Sequence, residues 1–156
     1  MVWVAISSKS ASKLYFKPSS LNINQEVYLK ECVKDRLIPF IKEYHKNDQY
    51  VFWPDKAKAH YAKSVTDHLR VKNVTFVEED ENPAALPETR SIENFWSYFK
   101  GLVYKNGWNA KNTEQLIGRI RYCFTKVDMT LVQALGASTS SCLDTVRKYD
   151  IIENRK

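Results

Sequence analysis

The chain has 156 residues, of which 44% are hydrophobic and 13% aromatic, enough to build the core of one domain. This composition excludes an intrinsically disordered chain. The mean hydropathy of −0.47 and the lack of an apolar run of about 18 residues argue against a membrane-spanning helix. Lysine and arginine outnumber aspartate and glutamate by 24 to 18, and the net charge of +6 is compatible with a polyanionic partner.

The cysteines and the first residues bear on the compartment. Cys32, Cys123 and Cys142 are far apart and form no CxxC pair. An odd number of cysteines without metal-ligand spacing is typical of a reduced intracellular protein. The opening MVWVAIS is too short for the apolar region of a signal peptide and lacks a basic start, so we expect none.

The N-terminal third predicts a hairpin followed by a helix. The segment Val2–Ser7 reads as a buried strand, and Ser12–Pro18 reads as its hairpin partner. Asn24 is placed to cap a helix, with an acidic residue, Glu26, in the first turn. Apolar residues then recur every three or four positions to about Tyr44, with an interruption expected at Pro39; they are Leu29, Val33, Leu37, Ile41 and Tyr44.

The middle of the chain alternates strand, helix and strand. Gln49–Trp53 is a predicted strand, Lys56–Leu69 a helix and Asn73–Val77 a second strand. The expected buried face of the helix comprises Ala62, Val65 and Leu69. This order predicts a parallel strand pair with a crossover helix, and ligands gather at the carboxyl ends of such strands. Asp55 lies at such an end.

The last third predicts helices. An acidic loop, Glu78–Arg90, leads to a helix that Ser91 would cap, and Asn106–Trp108 marks a turn. Asn112 and Gln115 have capping-box spacing for another helix. The expected apolar positions of the two helices are Ile92, Phe95, Trp96, Phe99 and Val103, then Leu116, Ile120, Cys123 and Val127. A last helix is expected around Ser141–Tyr149.

Two acidic residues each allow two interpretations. Asp55 is either a turn or N-cap residue or a metal ligand at a strand end. Glu93 either complements the dipole of a first helical turn or lies at the edge of a site. Two-metal phosphoryl chemistry needs carboxylates from separate elements that converge on hard cations. Neither residue decides the question alone.

Together the motifs resemble the catalytic domain of mariner-type DNA transposases of the insect-type branch. The second and third acids of that family's DDE triad match Asp55 in FWPDKAKAHYAK and Glu93 in NPAALPETRSIENFWSYFK. The gap between them, residues 56 to 92, is 37 residues, within the range of those branches. VWVAISSKSASKLYF resembles the family's strand pair, and VYKNGWNAKNTEQLIGRI resembles its helical tail. The resemblance covers Val2 to about Val127.

The resemblance implies a fold, a chemistry and a partner. The fold would be α/β, an RNase H-like (retroviral integrase-like) catalytic core, over residues 1–127, with a helical tail over 128–156. Asp55 and Glu93 would be catalytic ligands of Mg²⁺ or Mn²⁺. Lys56, Lys58, His60 and Lys63 would contact DNA in a nuclear protein that forms a homodimer and binds no membrane. The null interpretations are a solvated helix face for the lysines and a bond to a nearby carbonyl for His60.

The family's first catalytic aspartate ends a strand that precedes this sequence, and the first acidic residue here is Glu26. We therefore expect the first, central strand to be missing, a marginally stable core, and no strand transfer by this chain alone. In that core Val2–Ser7 would pair antiparallel with Tyr50–Trp53, or both would expose their edges. The alternatives are a non-catalytic remnant that binds nucleic acid or protein, and a chain whose motifs record ancestry only.

Overall fold

The computed structural model describes residues 1–17, 23–82 and 91–138. The chain divides into two compact units. The first comprises Met1–Ala5 and Ala11–Ala85, and the second comprises Ile6–Ser10 and Leu86–Lys156. The helix expected around Ser141–Tyr149 lies outside the described residues. The division of the sequence at residue 127 stays a prediction.

The first unit opens with the predicted hairpin, which is shorter than expected. Strand β1 (Val2–Trp3) pairs antiparallel with β2 (Tyr15–Phe16). Past this pair, the N–H of Ala5 donates to the hydroxyl of Ser12 at 2.9 Å instead of to a backbone carbonyl. A side-chain acceptor of this kind interrupts the strand ladder. Backbone pairing resumes beyond it, where the N–H of Ser12 donates to the carbonyl of Ala5 at 2.8 Å and the N–H of Ser7 donates to that of Ser10 at 2.9 Å. Among the described residues the sheet holds only β1 and β2, so the expected pairing of Val2–Ser7 with Tyr50–Trp53 is not seen.

The predicted first helix is present and ends at Tyr44 as expected. It comprises α1 (Gln25–Val27), a π-helical segment (Tyr28–Leu37) and α2 (Ile38–Tyr44) in direct succession. Asn24 caps it, since its Oδ1 accepts from the N–H of Val27 at 2.9 Å. The interruption expected at Pro39 takes the form of a change from π to α hydrogen bonding. The proline then lies in the first turn of α2, where its missing N–H costs least.

The strand–helix–strand prediction is confirmed in reduced form. Phe52 and Phe76 form one parallel bridge, in which the N–H of Phe52 donates to Thr75 at 2.8 Å and that of Val77 donates to Phe52 at 3.0 Å. Helix α3 (Lys63–Val71) lies between them in the chain. The predicted start of this helix at Lys56 is wrong. Local turns occupy the preceding residues, where the N–H of Ala57 bonds Asp55 and the N–H of His60 bonds Ala57.

The core of the first unit joins the long helix, α3 and the residues after it. Its buried members are Tyr28, Cys32, Val33, Leu37, Ile38, Val65, Leu69 and Val74. Val65 and Leu69 confirm the predicted face of α3, whereas Ala62 is only partly buried and precedes the helix. The side chains of Trp3, Tyr50, Phe52 and Phe76 cover this cluster. The hairpin and the parallel bridge therefore pack on one helical core.

The second unit is helical where it is described. Helix α4 (Ser91–Val103) buries Phe95, Phe99 and Val103 of its predicted stripe, whereas Ile92 and Trp96 are only partly buried. Ser91 is the first helical residue instead of the cap, and its hydroxyl donates to the carbonyl of Leu135. Helix α5 (Thr113–Phe124) packs against α4 and buries Ile120 and Cys123. A further helix is described over residues 129–138.

The connection between α4 and α5 follows the sequence signals closely. Asn106 and Gly107 have positive φ angles of 60° and 70°, the conformation that an Asn-Gly turn favours. Asn112 caps α5 through a 2.8 Å bond from the N–H of Gln115. Arg119 donates to the carbonyl of Val103 at 3.1 Å, and its guanidinium lies over the ring of Trp108.

At the level of fold class, the described residues form a mainly helical chain with one small sheet and one parallel bridge. This agrees with an α/β class in the broad sense. A helix that is both long and apolar enough to cross a bilayer is not found among the described residues.

Candidate functional site

Asp55 lies three residues after the parallel bridge, at the carboxyl end of its strand. The preceding Pro54 is buried, whereas the side chain of Asp55 is 58% exposed. Its Oδ1 accepts the N–H of Ala57 at 3.0 Å, which is the turn role expected for an aspartate after a strand. Because α3 begins at Lys63, Asp55 is not the cap of that helix. The residue ends the strand and presents a carboxylate near the surface.

His60 is the direct partner of that carboxylate. Its Nδ1 lies 2.6 Å from Asp55 Oδ1 and 3.3 Å from the backbone carbonyl of Asp55. The null interpretation of His60, a bond to a nearby carbonyl, is therefore confirmed, and a close contact with the carboxylate of the predicted site residue accompanies it. The imidazole is 11% exposed and stacks on Tyr28 with ring centroids 3.9 Å apart. One stacked ring and the contact of Nδ1 with the carboxylate thus fix the orientation of the imidazole.

Tyr28 anchors this arrangement in the core. Its side chain is 1% exposed, and its ring also meets that of Trp3 edge-on at 6.5 Å. Burial raises the pKa of the Tyr28 hydroxyl, and the charge of Asp55 raises it further. The hydroxyl therefore stays protonated, and the His60 ring rests on a neutral, rigid platform.

Asn82 is a buried residue that forms hydrogen bonds to the strand end. The sequence did not indicate this role. It is 1% exposed, and its amide nitrogen donates to the carbonyl of Pro54 at 2.9 Å and to the Tyr61 hydroxyl at 2.6 Å. Its Oδ1 accepts the indole N–H of Trp53 at 2.9 Å. The sequence signal pointed the other way, because Asn82 falls in an acidic stretch that reads as a solvated loop. The conformation of Trp53–Asp55 therefore depends on a buried amide.

Glu93 lies in the first turn of α4 and is exposed. This position suits the helix dipole, which favours a negative charge near the N-terminus. Asp55 belongs to the first unit and Glu93 to the second, so their convergence on one ion stays a prediction.

The predicted DNA-contacting lysines are all exposed. Lys56 and Lys58 lie in the turns after Asp55. Lys63 is 89% exposed and pairs with Asp67 one helical turn later, at 3.0 Å. An exposed pair of this kind contributes at most about 1 kcal/mol. The exposure of these lysines agrees with a solvated face, and their contact with DNA stays a prediction.

The donor chemistry suits a hard cation better than a soft one. Mg²⁺ takes oxygen ligands and is held by one or two carboxylates, with water and substrate phosphates completing its shell. The carboxylates of Asp55 and Glu93 are donors of this type. Within the ranges that the structure describes, three or more His, Cys, Asp or Glu side chains do not gather into a group able to hold an ion.

Comparison with known proteins does not assign the chain to a family. Neither a protein-family model nor a curated protein sequence matches this chain.

Proposed function

We propose that the chain is a form of the mariner-type DDE transposase catalytic domain, with RNase H-like ancestry and metal-dependent phosphoryl transfer on DNA as its ancestral chemistry. The observation that carries this proposal is the position of Asp55 after a strand that pairs in parallel across a crossover helix. Catalytic groups of open α/β sheets gather at such strand ends. The motif resemblance supplies the rest of the argument.

Asp55 and Glu93 would be ligands of the cation and not nucleophiles. When bound, Mg²⁺ or Mn²⁺ supplies Lewis-acid polarisation of a phosphate oxygen. His60 acts on Asp55 as a positioning residue, because its 2.6 Å contact with Oδ1 and its stack on Tyr28 fix one carboxylate oxygen. Asn82 acts one step further away by fixing the backbone of Pro54. Strand transfer is not expected from two matched acids alone.

The first test is metal-dependent stability. Mn²⁺ at ten times its Kd stabilises the form that binds it by about 1.4 kcal/mol. For a chain of this length, that raises Tm by about 3–6 °C. We expect this increase in the unaltered protein and its loss in Asp55→Asn, with each Tm compared with the same protein in a chelator. Differential scanning calorimetry measures both values.

Asp67→Asn is the matched control. Asp67 is a half-exposed aspartate of the same unit, paired with Lys63. Asp67→Asn should keep the full increase in Tm with Mn²⁺, because Asp67 is not part of the proposed site. If the effect arose from the overall negative charge of the protein, this variant would lose it as well. The metal-site proposal is wrong if Mn²⁺ does not raise the Tm of the unaltered protein, or if it raises the Tm of Asp55→Asn by the same amount.

The second candidate is a non-catalytic nucleic-acid-binding module located in the nucleus. The net charge of +6 and the exposed lysines around the strand end favour it. This function needs neither carboxylate. It is separated from the first candidate by variants that remove both acids.

A further inference from the structure

Helix α3 and the π-helical segment bring three basic residues together on the first unit. His68 and Lys72 are one helical turn apart, and the N–H of Lys72 donates to the carbonyl of His68 at 3.0 Å. Val33 and Leu69 belong to the same buried cluster. In the sequence, Lys34 comes directly after Val33 and His68 directly before Leu69. Helix α3 packs against α1 and against the π-helical segment that carries Lys34, and the hydroxyl of Ser64 at the start of α3 donates to Gln25 at the start of α1 at 3.4 Å.

The carboxylates nearest to these residues in sequence are already paired with other cations. Asp67, next to His68, pairs with Lys63 at 3.0 Å and with Arg70 at 3.7 Å. Asp35, next to Lys34, pairs with Lys30 at 3.6 Å. Within the described residues, Lys34 and Lys72 are exposed and make no ion pair. The positive charge of this surface is therefore not neutralised by its neighbours.

The electrostatics of His68 agree with this arrangement. Burial lowers the pKa of the His68 imidazole, and the positive charges of Lys34 and Lys72 lower it further. Charges act on a pKa in this way only when they are near, since the interaction falls with distance. This agrees with the packing of α3, which carries His68, against the segment that carries Lys34. An anion bound there would be favoured by both lysines and by protonation of His68.

We propose that Lys34, His68 and Lys72 form a surface that binds the phosphate backbone of double-stranded nucleic acid. Two packed helices lie about 8–10 Å apart, so lysines from both helices reach separate phosphates of a strand whose rise is about 3.4 Å per nucleotide. A membrane surface fits less well. Val71, the exposed apolar neighbour of Lys72, offers far less area than the apolar face by which a helix enters the interface. The inference rests on the nucleic-acid-binding function proposed above and names its surface.

The test is binding of a fluorescent DNA duplex, followed by anisotropy over about 50–200 mM NaCl. Each lost phosphate contact lowers the slope of log K against log salt by about one. Lys34→Gln with Lys72→Gln should therefore lower the slope by about two and weaken binding at the lowest salt. The control is Lys30→Gln with Lys42→Gln, which removes the same charge from the same unit and should leave the slope unchanged. Thermal melting of both variants checks that they fold.

A second readout follows His68 itself. Its ring proton resonances in NMR spectra should move on addition of the duplex in the unaltered protein and in the control, but not in the Lys34, Lys72 variant. Equal slope losses in the variant and the control overturn the surface and leave general nucleic-acid binding intact. No binding of the duplex by the unaltered protein overturns the nucleic-acid function as well. Lysine-dependent binding to phosphatidylserine vesicles without duplex binding assigns the surface to membranes and overturns the proposal.

Discussion

Asn82 shows how a single buried amide can organise a strand end. Its one side chain bonds the indole of Trp53, the carbonyl of Pro54 and the hydroxyl of Tyr61. Buried polar groups of this kind are costly when a partner is removed, because the groups left behind lose their bonds without regaining water. Asp55 follows directly, so its position depends on a residue 27 positions later in the chain.

We expect Asn82→Ala to destabilise the protein by about 2 kcal/mol or more, since it leaves buried partners without their hydrogen bonds. Urea unfolding followed by tryptophan fluorescence measures the change. Glu79→Ala is the control, because Glu79 is an exposed residue three positions earlier and its loss should change stability by less than about 0.5 kcal/mol. Equal stability of the two variants would show that the amide network contributes nothing.

At Asp55 the turn interpretation is confirmed, and the metal-ligand interpretation stays a prediction. The turn bond from Ala57 uses Oδ1, and the contact with His60 uses the same oxygen. The structural role and the proposed chemical role would share one side chain. Sequence reasoning identified the residue but treated the roles as alternatives, because spacing alone does not show how many partners a carboxylate has.

Among the elements, the helix over residues 129–138 depends on one small residue. A Cβ placed on Gly136 would lie within 3.0 Å of the backbone of Ser7 and Ser8. Nearby, the amide of Gln133 donates to the carbonyl of Lys9 at 3.0 Å. The helix thus lies directly on the backbone of Ile6–Ser10, within the second unit. Only glycine allows this approach without a shift.

We expect Gly136→Ala to destabilise the protein by about 1–3 kcal/mol, the usual cost of overpacking. Gly118→Ala in α5 is the matched control, because nothing lies within 4 Å of a Cβ there. Alanine should then stabilise the helix by up to about 1 kcal/mol. Thermal unfolding of both variants gives opposite signs if the close approach is real. Stabilisation by both substitutions would mean that the helix does not rest on Ile6–Ser10.

The long helix illustrates what periodicity can and cannot predict. The cap at Asn24 and the end at Tyr44 follow from local signals. The π-helical pattern over Tyr28–Leu37 does not, because it changes the hydrogen bonds without changing which residues are apolar. Periodicity likewise placed the start of α3 seven residues too early, since the side chain of Asp55 competes for the backbone N–H of Ala57.

For the whole molecule, the charge balance carries the clearest expectation. We expect the chain to bind duplex DNA at low salt with an affinity that falls steeply as salt rises, because binding releases counterions. Asp55→Asn combined with Glu93→Gln should keep this binding, since neither acid contributes positive charge. Anisotropy titrations of both proteins at two salt concentrations measure it. A double variant that no longer binds would place the acids at the DNA interface and contradict a module independent of them.

The sequence by itself determined the local elements of this protein and the identity of Asp55 and Glu93 as candidate acids. Caps, turns and apolar stripes depend on neighbours within a few residues, and their chemistry is readable in order along the chain. Tertiary structure alone decided that the His60 ring in contact with Asp55 stacks on Tyr28, that Asn82 is buried behind Trp53, and that α3 packs against the segment that carries Lys34. These contacts join residues from distant parts of the chain, and the packing that brings them together has no periodic signal in the sequence.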